Sequence, residues 1–160
     1  RSPAFMLIYA VIIIVGILFV VSAWVGVTST WFQNLHKEVI NPYILGILLL
    51  VCVAISYVSV FMMWEKIDTS NQVGADLLIS IYFLIGNLLL LLWSVVFFQG
   101  CNILYSIYTA SILFLYHFWL TTHLFAVKPT AGVFLILLTI VYGYLFYTMI
   151  HTASINNIIV

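Results

Sequence analysis

The sequence predicts an all-α, polytopic membrane protein, a bundle of five transmembrane helices in one domain spanning residues 1–160. Two observations predict it. Of 160 residues, 66% are hydrophobic and only four Lys/Arg and four Asp/Glu carry formal charge, where a soluble domain of this size carries about forty charges. The apolar residues also run uncharged for stretches longer than the roughly 20 residues that cross a hydrocarbon core, more than a single globular core of this size can bury. A soluble enzyme, a nucleic-acid binder and a disordered tail are thereby excluded. The continuously apolar runs also exclude a β-barrel, which alternates apolar and polar positions.

The charges punctuate the chain at Arg1, Lys37/Glu38, Glu65/Lys66/Asp68, Asp76 and Lys128. Between these marks helices are expected at about Pro3–Val27, Pro42–Trp64, Leu77–Phe98, Asn102–Val127 and Thr130–Ile150. Each is long enough, at about 1.5 Å per residue, to span a core of roughly 30 Å. The first run exceeds the roughly 7 to 15 apolar residues of a secretory signal and is kept as a span. Pro42 opens the second helix as a first-turn proline. No charge separates the third and fourth spans, but Gln99-Gly100-Cys101-Asn102 offers a helix-ending glycine and an asparagine cap. The rival count of four spans would require Leu77–Val127 to form one helix of excessive length. Pro129 introduces the fifth span.

Five spans place the termini on opposite sides. Side A, which bears Arg1, collects Lys66 and Lys128, whereas side B has Lys37, so side A leans toward the cytoplasm or matrix. Arg1 opens a chain without an initiating Met and weighs less in that count. Cys52 and Cys101 stand at unrelated positions and carry no redox message.

Intramembrane ionisable groups mark function in such proteins. All four carboxylates fall at span ends, so proton or ion coupling lacks a relay. A bis-histidine haem requires two His at one depth. His117 lies about 22 Å from side B on the fourth helix, His151 at side B, His123 near side A and His36 in the first loop, so no pair matches. His117 is expected to be neutral and hydrogen-bonded to a neighbouring helix. No metal cluster, nucleophilic triad or phosphate loop is visible, and no catalytic residue is assigned. The aromatics are more informative. Trp24, Trp31, Phe32, Trp93, Phe97, Phe98, Tyr105, Tyr108, Tyr142, Tyr144 and Tyr147 gather toward side B, partly as an interfacial belt. Side A has mainly Trp64 and Trp119. The excess coincides with the longest connection, Thr28–Asn41, which can fold over that end as a lid above an aromatic pocket for a flat apolar ligand.

Trp31-Phe32-Gln33-Asn34-Leu35-His36-Lys37, followed by Asn41-Pro42, resembles the first loop of the TspO/translocator family, and Trp93-Ser94-Val95-Val96-Phe97-Phe98 is similar to that family's third-helix motif. Ala131-Gly132-Val133 falls where the family has a small-residue start to the fifth helix. The resemblance covers nearly the whole chain. It implies a five-helix bundle, often dimeric, that binds tetrapyrroles or, in mitochondrial members, cholesterol beneath the first loop. It also implies an integral, multi-pass location, mitochondrial by preference and bacterial as the alternative. Carried over by residue, Trp31, Leu35 and Lys37 belong to the lid and Trp93 to the pocket wall. The chain departs from the pattern at Glu38, Tyr43, Val51, Ile55, Leu90, Leu137-Leu138, Val141 and Met149, several of which replace hydrogen-bonding groups.

Two functions follow. The first is binding or transport of a planar apolar ligand, a porphyrin or sterol, at Trp31, Leu35, Lys37, Asn87, Trp93, Phe97 and Tyr142. Asn87, Tyr57 and His117 are candidate polar anchors. The second is a ligand-less accessory subunit of a larger membrane complex, mitochondrial and respiratory in kind. Partners expected are the bilayer, the ligand, and a second copy or other subunits; nucleic acid is not. An enzyme is the least favoured class, since no acid/base pair is visible. Ser22/Gly26 and Ser106/Ala110, at one-turn spacing, favour close helix contacts.

Overall fold

A hydrocarbon core offers no water to satisfy backbone N–H and C=O groups, so a chain this apolar must close its hydrogen bonds within helices. The computed structural model describes residues 3–37, 41–67, 73–127 and 129–158. It contains helices α1 (Pro3–Val27), α2 (Thr30–Asn34), α3 (Pro42–Ile67), α4 (Val73–Ser94), α5 (Ile103–Val127) and α6 (Pro129–Ile155), with a π-helical turn, Val95–Gln99, continuing α4. There is no strand among the described residues. All but α2 are long and apolar enough to cross a bilayer. The charges Arg1, Glu38, Asp68 and Lys128 lie outside the described residues, as do the side chains of Trp64, Glu65, Lys66, Asp76 and Ala131. By backbone position Glu65 and Lys66 fall in the last turn of α3 and Asp76 in the first turn of α4.

The helix starts follow local capping chemistry. Asn41 Oδ1 accepts from the backbone N–H of Tyr43 (3.1 Å) and of Ile44 (3.4 Å), with Pro42 in the first-turn position that needs no donor. Asn102 Oδ1 accepts from Tyr105 N–H at 2.9 Å and so caps α5. The end of α4 differs from the expected glycine stop. Gly100 is right-handed, with φ −78°, and the residue with positive φ is Cys101, at 50°. The π-turn inserts an extra residue into the helical register, closing with Gly100 N–H to Val95 O at 2.8 Å. That wider turn lets Phe97 and Phe98, consecutive in sequence, both be buried.

The five spans form a ring in the order α1, α3, α6, α5, α4 and back to α1, with α3 also touching α4 across it; α5 and α6 make the most extensive contact. Outward faces carry large apolar residues such as Leu7, Ile17, Ile47, Leu115 and Ile140. The buried core includes Phe5, Ile12, Phe83, Leu90, Leu113, Leu135, Leu138 and Leu145. Several buried hydroxyls are satisfied within their own helices, as in Ser56 Oγ to Cys52 O (3.1 Å) and Thr152 Oγ1 to Thr148 O (2.7 Å). Polar contacts between elements occur toward side A, where Tyr116 Oη donates to Tyr82 O at 2.6 Å and Thr121 Oγ1 meets Thr139 Oγ1 at 3.0 Å, and again near side B. There Ser22 Oγ meets Ser94 Oγ at 2.8 Å and donates to Gln99 Oε1, while Gln99 Nε2 donates to Ser22 O at 3.0 Å. One turn further along α1, Gly26 lets the Phe98 ring close onto the helix backbone, where any Cβ would strike it. Ser106 and Ala110 are both fully buried, and Ser106 Oγ approaches Met149 Sδ of α6 at 3.4 Å.

Candidate ligand-binding cavity

The connection after α1 is built as a lid by its own polar residues. Ser29 caps α2, its Oγ accepting from Phe32 N–H at 3.3 Å, and Gln33 Nε2 donates back to Val27 O at 2.8 Å. At the other end Lys37 Nζ donates to the carbonyls of Phe32 (2.7 Å) and Leu35 (3.2 Å) and sits 4.6 Å from the Phe32 ring centroid. The cation thus serves the C-terminal end of α2, where free carbonyls favour positive charge. Asn156, just beyond α6, holds the descending arm: its Nδ2 donates to His36 O at 3.0 Å and its Oδ1 accepts from His36 N–H at 3.3 Å.

Beneath the lid lies a cavity of about 240 Å³ between α1 and α3. Phe32 of α2 contributes to it from the lid, and its buried lining includes Phe19, Leu49, Trp93, Phe97 and Met149. Val20, Trp24, Tyr43, Ile47 and Leu50 also line it but are exposed, Trp24 by 72% and Tyr43 by 77%. These residues belong to the outward faces of α1 and α3, so the cavity opens sideways. The aromatic group is a packed set: Trp93 stacks on Phe97 at 5.5 Å with an interplanar angle of 11°, Phe97 meets Trp31 edge-on at 5.3 Å, and Phe98 meets Phe32 at 5.5 Å. The indole Nε1 of Trp93 is buried with no hydrogen-bond partner among the described residues.

The structure brings together only part of the expected site. Trp93 and Phe97 line the cavity. Trp31 supports it from behind through Phe97, whereas Leu35 ends α2 and Lys37 is engaged with lid carbonyls. Asn87 is buried but donates to Phe83 O of its own helix at 2.8 Å, and Tyr142 is buried against His117, with ring centroids 4.5 Å apart. Neither lines the cavity. His117 bonds not to a neighbouring helix but to Leu113 O of its own, through Nδ1 at 2.8 Å, and Gly86 of α4 leaves room for the opposite ring edge, where a Cβ would lie 2.7 Å from Nε2. Tyr57 faces Tyr9 at 4.7 Å and is also not part of the lining. Sequence reasoning missed the α1 contribution from Phe19 to Val27 and the first turns of α3. Helices that are apolar all round carry no periodic signal for their inward face.

The side-B aromatics divide accordingly. Trp24, Tyr105, Tyr108, Tyr144 and Tyr147 are exposed, as an interfacial belt requires, whereas Trp93, Phe97 and Tyr142 are buried. The sequence that forms this five-span bundle is matched by a family model described as the TspO/MBR family, over residues 6–154. The chain belongs to the TspO/MBR family. With five apolar spanning helices, this TspO-family chain is an integral, multi-pass membrane protein. No curated protein and no solved structure matches it. Met149, where the TspO/translocator resemblance leads one to expect asparagine, lines the cavity, and Leu90, in place of another asparagine, is fully buried. Both replacements make this interior more apolar than the family pattern.

Proposed function

We propose that this TspO-family membrane protein binds a planar apolar ligand, a tetrapyrrole or sterol in class, in the cavity under its first loop, and passes it between that cavity and the bilayer. The observation that carries this reading is the aromatic cavity itself, lidded by α2 and open between α1 and α3. Its volume of about 240 Å³ falls below the ~300 Å³ at which enclosed ligand sites begin. A ring edge or one end of the ligand therefore enters, and the remainder rests between α1 and α3. Binding, not catalysis, suits an interior whose buried lining offers no acid/base pair among the described residues. The working unit in this reading is a homodimer.

A second reading, a ligand-less accessory subunit of a larger mitochondrial assembly, is favoured by two buried polar groups that bond locally and away from the cavity. Asn87 and His117 spend their hydrogen bonds on their own helices. Tryptophan fluorescence titration of the purified protein with protoporphyrin, its dimethyl ester and cholesterol separates the two. Saturable binding by any of the three, weakened by Trp93→Ala, supports the ligand reading. Absence of binding at micromolar ligand, together with co-purification in a stoichiometric assembly, replaces it with the second.

A further inference from the structure

Resting on the homodimeric working unit proposed for this chain, we infer that its two copies meet through the outward face of α6, where the phenols of Tyr144 and Tyr147 hydrogen-bond to their counterparts across a two-fold axis along the membrane normal. The exposed tyrosines are Tyr43, Tyr105, Tyr108, Tyr144 and Tyr147. Three of them stand at span ends, Tyr43 in the first turn of α3 and Tyr105 and Tyr108 in the first two turns of α5. Side chains lean toward the N-terminus of their own helix, which for α5 is side B, so its two hydroxyls reach the interface as a belt does. The α6 pair differs. Tyr144 stands at the centre of the apolar span Gly132–Ile155, with Tyr147 about one turn nearer side B, and the two are 40% and 54% exposed. Because α6 starts at side A, both phenols lean away from side B and into the hydrocarbon. Neither hydroxyl has a hydrogen-bond partner among the described residues.

A hydroxyl left unpaired in hydrocarbon is costly. Lipid offers no remedy at that depth, since acyl chains carry no acceptor and the headgroup oxygens lie at the interface. A second copy does. Copies of one chain insert in the same direction, so the two-fold axis runs along the membrane normal and sets each residue opposite its own counterpart at equal depth. A phenol both donates and accepts, so two identical faces satisfy one another, whereas a foreign helix would need a polar group at the matching depth. The surrounding stripe fits such a seam: Leu137, Ile140, Tyr144 and Tyr147 are all exposed and recur at intervals of three and four residues, the repeat that keeps one face against a partner helix. On α1 the exposed Ile14, Ile17 and Val21 share that spacing but bring no polar group. The phenols are what set the α6 face apart.

Two measurements in phosphatidylcholine vesicles test this. Förster transfer between copies carrying donor or acceptor fluorophores, followed on dilution with lipid, gives the dimer dissociation constant. Disulfide cross-linking of single-cysteine replacements, with Cys101→Ser and the buried Cys52 retained, locates the face. Ile140→Cys is expected to cross-link to its counterpart, whereas Ile17→Cys on α1 and Leu115→Cys on α5 are not. The double variant Tyr144→Phe/Tyr147→Phe, which removes only two hydroxyls, is expected to raise the dissociation constant about three- to ten-fold, the scale of interhelical hydrogen bonds in bilayers. Tyr105→Phe, in the belt, leaves it unchanged. The cross-link decides the face even where the double variant does not fold. Cross-linking through α1 or α5 in place of α6, or an unaltered dissociation constant in the double variant, overturns the inference alone. A chain that stays monomeric at every dilution overturns the homodimer with it. Ligand binding in the cavity, read by the protoporphyrin titration, stands or falls separately from each of these results.

Discussion

Gly26 and Gly46 are glycines of similar helical setting whose replacement by alanine has opposite consequences. Gly46 lies on α3 and lines the cavity, and a Cβ built there meets nothing within 4 Å. Gly46→Ala therefore adds helix preference without collision, a gain of about 0.5–1 kcal/mol. At Gly26 the Cβ falls within the Phe98 ring, which is itself wedged against Phe32, Trp93 and Phe97. Forcing such a ring aside costs about 1–3 kcal/mol, which outweighs the helix gain. The two variants should then differ by roughly 1–3 kcal/mol, with Gly46→Ala the more stable, which is about a five- to 150-fold difference in unfolding constant. Reversible unfolding in mixed micelles, titrated with sodium dodecyl sulfate and followed by circular dichroism, measures it. Equal stabilities, or a less stable Gly46→Ala, would refute both the open space at Gly46 and the wedge at Phe98. Extending the series to Gly46→Leu fills the cavity. Affinity for whichever of protoporphyrin, its dimethyl ester or cholesterol binds should fall at least about ten-fold while the fold persists, and an unchanged affinity would place the ligand elsewhere.

The network joining α1 to the π-turn should also be measurable. Ser22→Ala removes the hydroxyl shared by Ser94 and Gln99 and should cost about 1–2 kcal/mol in the same unfolding assay, since interhelical bonds in membranes average ~0.6 and reach ~1.7 kcal/mol; no loss would show that the π-turn stands without it. Asn156→Ala releases the two bonds to His36 while leaving α6, which ends at Ile155, intact. Amide hydrogen exchange across residues 31–36 should accelerate with little change in global stability, and unaltered protection would show that α2 is held by Phe32 and Lys37 alone.

Helix ends were legible where side chains cap them locally. Pro42 opens α3 and Asn102 caps α5 as a reading of the sequence expects, because the hydrogen bond involved spans three residues. The α4 end was not, because the π-turn is stabilised across the bundle by Gln99 reaching Ser22, 77 positions away. Lys37 illustrates the same limit. Its place in a lid motif suggested a ligand contact, yet α2 forms beside it and its charge is drawn to that helix's carbonyls. Asn87 stood out as a buried amide, but a one-turn bond to Phe83 O satisfies its donor.

Composition and charge placement by themselves determined that this chain is five apolar helices in a bilayer, because the cost of unsatisfied backbone and of buried charge in lipid leaves no other architecture. Two ordered motifs pointed to the family. Which faces turn inward was decided only by tertiary packing. In water, polarity marks the outer face of a helix; in lipid both faces are apolar, so Trp24 and Trp93 are indistinguishable by type yet one is 72% exposed and the other 1%. Phe97 and Phe98 come inward together because the π-turn widens the register and Gly26 leaves room for the Phe98 ring. That is a consequence of shape, which no spacing of residue types encodes.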